Sequence, residues 1–203
     1  MISIIDYGAG NLKSVEKAVC YLGENVIVTS DADAILNTDG VILPGVGEFG
    51  DAMAALSACG LVDTVKKAAD QKPFLGICLG MQLLFERSEE SPGVSGLGIL
   101  RGECFRIPDK GLKVPHIGWN RLDVLKDTMF KGIADNPFVY FVHSYYVKAK
   151  DKSVVSAQTD YACKIDAAVE RDNLFAMQFH PEKSGQAGLL MLNNFIQYVR
   201  GKV

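Results

Sequence analysis

Three short apolar runs, each passing through a glycine- or proline-marked boundary into a helical pattern, constrain this chain more than any other feature. Ile2–Asp6 leads through Tyr7-Gly8-Ala9-Gly10 into Leu12, Val15, Val19 and Leu22 at helical spacing, with Gly23 as a stop. Val26–Thr29 reads as a second strand. Val41–Leu43 leads through Pro44-Gly45-Val46-Gly47 into a helix from about Phe49 to Ala58, and a further helix runs from about Leu61 to Asp70. Phe74–Ile77, entered through Pro73, leads into a helix over Leu79–Glu86. Strands that alternate with helices pair in parallel through right-handed crossovers, so the expected fold is α/β, a doubly wound, mainly parallel sheet flanked by helices.

The second half reads differently. Leu97–Ile107, Pro115–Leu125, Phe138–Lys148, Ser153–Thr159, Cys163–Glu170 and Leu174–Gln178 are strand-like with turn residues between them, and Ser184–Val199 is a closing helix. They predict an antiparallel extension of the sheet. With 203 residues and no linker, repeat or low-complexity stretch, a single domain over 1–203 is expected.

Composition excludes several classes. A net charge of −3 without a basic block leaves no electrostatic footprint for nucleic acid or an anionic membrane. The longest apolar stretch, Phe74–Phe85, is 12 residues and is interrupted by Gln82, too short to cross a bilayer. The N-terminus lacks the charged and cleavage regions of a signal peptide. The five cysteines are widely spaced with no Cys-x-x-Cys, which points to reduced thiols, no zinc site and a cytoplasmic setting.

Ligands of open α/β sheets bind beyond the carboxyl ends of the strands. There, Gly76-Ile77-Cys78-Leu79-Gly80 has the form of a nucleophile elbow with cysteine in place of serine, and it sets Cys78 at a helix N-terminus, where the dipole favours negative charge. A buried cysteine in a tight turn is the plain alternative. Of three histidines, His180 closes another strand and is followed by Pro181-Glu182. In an extended segment His180 and Glu182 face one way, so the carboxylate can orient the imidazole; a surface histidine at a strand end is the alternative. The Leu79 N–H and the Gly45–Gly47 loop are candidate oxyanion donors. That loop also satisfies Gly-x-Gly-x-x-Gly over Gly45–Gly50, a dinucleotide signature, but the next strand ends in Cys78 rather than in the acidic residue a ribose needs.

Taken together, Pro44-Gly45-Val46-Gly47, Gly76-Ile77-Cys78-Leu79-Gly80-Met81-Gln82 and His180-Pro181-Glu182 resemble the oxyanion loop, elbow and His-x-Glu pair of the class I (triad) glutamine amidotransferases. Pro44–Gly50, Pro115–Asn120 and Phe141–Tyr146 extend the resemblance to the glutaminase subunits of imidazole glycerol phosphate synthases, over nearly the whole chain. The resemblance implies hydrolysis of L-glutamine by a Cys78-His180-Glu182 triad; a glutaminase subunit of another class I amidotransferase, or a non-catalytic binding module on the same fold, is the alternative. It implies an oxyanion hole at Val46, Gly47 and Leu79, and substrate contacts from Gly45, Gln82, Glu90, Ser144 and Tyr145. On sequence alone Glu90 reads equally as a solvated loop charge in Ser88–Ser91. Trp119 and Tyr140 would lie at the interface with a (β/α)₈-barrel cyclase subunit, forming a heterodimer that receives ammonia; packing residues are the alternative. The resemblance also implies low activity of the chain alone. No metal or cofactor is expected, His116 and His143 stand outside the triad, and the other four cysteines are expected to be inert packing residues.

Overall fold

The computed structural model describes residues 1–201. Thirteen strands and six helices follow in chain order. The first half contains β1 (Ile2–Ile5), α1 (Leu12–Tyr21), β2 (Val26–Thr29), α2 (Ala32–Asn37), β3 (Gly40–Gly45), α3 (Phe49–Ala58), α4 (Val62–Gln71), β4 (Phe74–Cys78) and α5 (Leu79–Leu83). The second half contains β5 (Arg87–Ser88), β6 (Gly102–Arg106), β7 (His116–Arg121), β8 (Asp123–Val124), β9 (Phe138–His143), β10 (Tyr145–Ala149), β11 (Val155–Tyr161), β12 (Cys163–Arg171), β13 (Leu174–Met177) and α6 (Gly185–Val199).

The main sheet has eight strands in the order β2-β1-β3-β4-β13-β12-β11-β8. The first five are parallel and the last three continue the sheet antiparallel, the doubly wound core with an antiparallel extension that the chain pattern implies. Side chains along the central strands alternate between two cores, as a period of two requires. Val41, Leu43, Phe74, Leu174 and Ala176 join the core under α2, α3, α4 and α5. Ile42, Leu75, Ile77, Phe175 and Met177 join the core under α1 and α6. Two smaller sheets cover the carboxyl end: β10-β6-β5, and the antiparallel ribbon β7–β9. No helix among the described residues is long and apolar enough to cross a membrane.

The differences from the expected elements have local causes. α2 was not expected; it is short and is started by Asp31, whose carboxylate accepts from Ala34 N at 2.7 Å. The helix after Cys78 stops at Leu83 rather than Glu86, because Leu84 and Phe85 close their N–H groups on the shorter i−3 spacing. Of Leu97–Ile107 only Gly102–Arg106 is strand. Pro115–Leu125 divides into β7 and β8, and Phe138–Lys148 breaks at Ser144, where the chain leaves the ribbon for the three-stranded sheet.

Candidate active site

Parallel pairing puts the ends of three strands side by side. β3 and β4 pair with Gly45 opposite Cys78, and β13 pairs with β4 with Met177 opposite Ile77. The loop after β3, the cysteine after β4 and the histidine beyond β13 therefore meet at one edge.

The elbow at Cys78 is sharp. Cys78 has φ +56° and ψ −112°, a conformation that costs a side-chain-bearing residue on the order of 1–3 kcal/mol. The flanking glycines make it possible. A Cβ on Gly80 would sit 1.9 Å from the Leu43 carbonyl oxygen, and one on Gly76 would press on the Gly80 and Met81 backbone at 3.0 and 3.1 Å. Cys78 is buried, and its Sγ lies 3.8 Å from Gln178 Nε2.

His180 Nδ1 and Glu182 Oε1 are 2.8 Å apart, both side chains being almost wholly buried. The contact is made across a 3₁₀ turn, Pro181–Lys183, and not along an extended segment. Burial opposes a charge on His180, yet Cys78 and Glu182 outweigh it and raise its pKa to about 9. With Nδ1 taken by Glu182, Nε2 is the nitrogen left for the cleft; it is buried and makes no hydrogen bond.

A cleft of about 220 Å³ opens at this edge. Cys78 and His180 line it with Leu79, Val46 and Gly47, the residues expected at the oxyanion site. So do Gln82, Glu90, Ser144 and Tyr145, from the expected substrate set. Gly45 does not line it: it ends β3 beneath the cleft, packed against the Gly80 backbone and the Tyr7 hydroxyl. Glu182 stands behind His180. Trp119 and Tyr140 lie outside the cleft on the ribbon, paired in register with rings 6.2 Å apart. Trp119 is about half exposed, as are Ile117 and Phe138 on the same ribbon.

The loop over Val46 and Gly47 is held at both ends. The buried Tyr7 hydroxyl donates to the Pro44 carbonyl at 3.0 Å. At the far end Phe49 N donates to Glu90 Oε2 and Gly50 N to Ser91 Oγ, each at 2.9 Å. Glu90 is thus half-buried rather than a solvated loop charge, and burial raises its pKa. These two contacts also answer the dinucleotide signature. The first N–H groups of α3, where a pyrophosphate would sit, already face a carboxylate and a hydroxyl.

Sequence reasoning missed His143 and Val142, which line the cleft, and the buried Gln178 and Tyr7 beside it. His143 Nδ1 faces the Tyr145 carbonyl at 2.8 Å, so that nitrogen carries the proton. Its Nε2 then accepts from His116 Nδ1 at 3.0 Å, and His116 Nε2 accepts from Asn120 Nδ2 at 3.4 Å. Burial lowers the pKa of His116 to about 4 and of His143 to about 3, so both are neutral at pH 7. All five cysteines are free; Cys20 and Cys59 are exposed and so are not the packing residues expected of them. Among the described residues no cluster of His, Cys, Asp and Glu could hold a metal ion.

The chain matches known proteins along its length. The profile of the family "Glutamine amidotransferase class-I" matches residues 3–198. The chain is 52% identical to the imidazole glycerol phosphate synthase subunit HisH of Caldanaerobacter subterraneus subsp. tengcongensis, over 98% of this chain and 99% of that one. It is 50% identical to the same-named subunit of Methanothermobacter thermautotrophicus, over 98% and 100%. A solved structure described as a glutamine amidotransferase superposes with a TM-score of 0.76 over 98% of both chains at 19% identity, a likeness of fold. The protein belongs to the class I glutamine amidotransferases and, within them, to the family of imidazole glycerol phosphate synthase HisH subunits.

Proposed function

We propose that this chain is the glutaminase subunit of an imidazole glycerol phosphate synthase and hydrolyses L-glutamine to glutamate and ammonia in histidine biosynthesis. The observation that carries the reading is the meeting of Cys78 with the His180–Glu182 pair in a cleft of amino-acid size that also presents Gly47, Gln82 and Glu90.

The residues have the chemistry for each step. Cys78 Sγ attacks the side-chain amide carbon of glutamine, and the carbonyl oxygen takes up the negative charge. The Leu79 N–H and an N–H of the Val46–Gly47 loop hold that oxygen. His180, oriented by Glu182, gives its Nε2 proton to the nitrogen as the C–N bond breaks, leaving a γ-glutamyl thioester on Cys78 and free ammonia. His180, now neutral, takes a proton from water as the water oxygen attacks the thioester. The C–S bond breaks, glutamate leaves, and the thiolate and imidazolium are restored. The raised His180 pKa suits this cycle, because a cationic imidazole is present at the start. Glu90 suits the glutamine ammonium, and Gln82, one helical turn past Cys78, reaches the same space.

Ammonia would be protonated in bulk water and lost as a nucleophile, so a partner must take it directly. The reading assigns that role to a cyclase subunit with a (β/α)₈-barrel fold, bound as a heterodimer. It would use the ammonia to form imidazole glycerol phosphate and release aminoimidazole carboxamide ribonucleotide. The exposed face of β7–β9, with Ile117, Trp119 and Phe138, supports docking there, since aromatic residues are enriched in interface cores. A glutamine-mimicking electrophile tests the site: it should label Cys78 alone among the five cysteines, and excess glutamine should protect it. Labelling spread over the exposed Cys20 and Cys59, without protection, would refute the reading.

A further inference from the structure

One buried polar side chain beside the reactive sulfur has no part in the steps above. Gln178 is wholly buried and follows β13, whose pairing with β4 brings it next to Cys78. Its amide meets two groups, Cys78 Sγ at 3.8 Å and Gln82 at 2.9 Å.

Which end of that amide faces the sulfur is decided by a chain of necessities. The Tyr145 carbonyl can only accept, so Gln82 turns its Nε2 towards it, at 3.0 Å. The second hydrogen of the same Nε2 is directed at Gln178, and the Gln178 atom receiving it must be the oxygen. Gln178 Nε2 is therefore left as a donor to Cys78 Sγ. A thiolate accepts such a bond much better than a thiol. A side chain needed only to fill space here would be apolar, since burying an amide costs free energy unless its polar ends are matched.

We propose that Gln178 is a further catalytic residue: its Nε2–H donates to Cys78 Sγ and holds the sulfur as an anion aimed into the cleft, with Gln82 and the Tyr145 carbonyl fixing which way the amide points. The proposal rests on the assignment of Cys78 as the nucleophile. The ionisable groups around the sulfur are His180 with Glu182 behind it, Tyr7 from the β1–α1 turn, and Glu90 and His143 across the cleft. Gln178 adds a neutral donor to this set, so its loss weakens the anion without adding or removing a charge.

Gln178→Met keeps the volume and removes the donor. The pH profile of Cys78 alkylation by iodoacetamide should move to more alkaline pH by roughly one unit. Glutamate release, measured with the partner subunit present, should lose about tenfold in kcat with KM for glutamine little changed. Superimposable alkylation profiles in a folded variant would overturn the proposal. If the variant does not fold, the wild-type protein decides. The Gln178 side-chain amide proton should move downfield as Cys78 ionises and return when the sulfur is carbamidomethylated; a stationary resonance overturns it. Alkylation and resonance are read without glutamine, so loss of the glutaminase reading would show separately, as absent glutamate release in the wild type.

Discussion

Replacing Gly80 by alanine should destabilise the protein and disable its cleft, against the usual expectation for a helix. In a solvent-exposed helix interior the exchange gains about 1 kcal/mol from propensity. Here the new Cβ would stand 1.9 Å from the Leu43 carbonyl oxygen and 2.9 Å from the Leu43 carbonyl carbon. Leu43 belongs to β3, which is paired on both edges by β1 and β4, so the backbone there cannot yield. Relief requires α5 to withdraw by roughly 1 Å. Overpacking of this kind costs about 3 kcal/mol at its upper range, leaving a net loss near 2 kcal/mol after the helix gain. For a chain of this size that lowers Tm by roughly 4–8 °C. α5 carries the Leu79 N–H and Gln82, so the same displacement should reduce glutamate release on the order of a hundredfold. Thermal unfolding by circular dichroism and glutamate release in the presence of the partner measure the two effects. A variant as stable and as active as the wild type would refute the claim that the β3–α5 contact sets the position of the elbow.

Other outcomes follow from the same geometry. The folded-state pKa of His180 is raised to about 9, so its contribution to stability is complete below the unfolded value of about 6.5 and is lost as pH rises through 9. Urea unfolding at pH 6 and pH 9.5 should show a loss on the order of 2–3 kcal/mol from this group, and Glu182→Gln should reduce that dependence without removing it, because Cys78 also raises the His180 pKa. His116 and His143 have depressed pKa values, so their contribution acts the other way, falling as pH drops from about 6.5 towards 4. Nitrogen-15 NMR should find both as neutral Nδ1–H tautomers at pH 7; an Nε2–H tautomer for His143 would contradict the relay to the Tyr145 carbonyl. Trp119→Ala, on an exposed face, should change stability by less than about 0.5 kcal/mol yet weaken association with the cyclase subunit, as isothermal titration can show.

The parts of the fold that rest on strong periodicity were readable from the chain. Each strand of the parallel core is a short apolar run with a turn after it, and Gly76–Gly80 announces a strained turn because little else fits between β3 and α5. The breaks in the second half were not readable. Nothing local separates Phe138–Lys148 into two strands; the division at Ser144 arises because β9 pairs with β7 while β10 pairs with β6. Glu90 shows the limit for the site. Its neighbours Ser88, Glu89 and Ser91 read as a solvated loop, and only the folded chain brings its carboxylate to Phe49 N, 41 positions away. Gln178 was within reach, since it stands two residues before His180, the same spacing that drew attention to Glu182.

Cys78 is proposed to carry glutamine hydrolysis in the service of a cyclase subunit. The most direct measurement is glutamate release from L-glutamine by this chain alone, by the chain with the cyclase subunit and its nucleotide ligand, and by Cys78→Ala under the same conditions. In that role, release should be low from the chain alone, rise greatly with the partner and its ligand, and be absent from Cys78→Ala. Retained turnover in Cys78→Ala, or release by the isolated chain at the full rate of the complex, would contradict it.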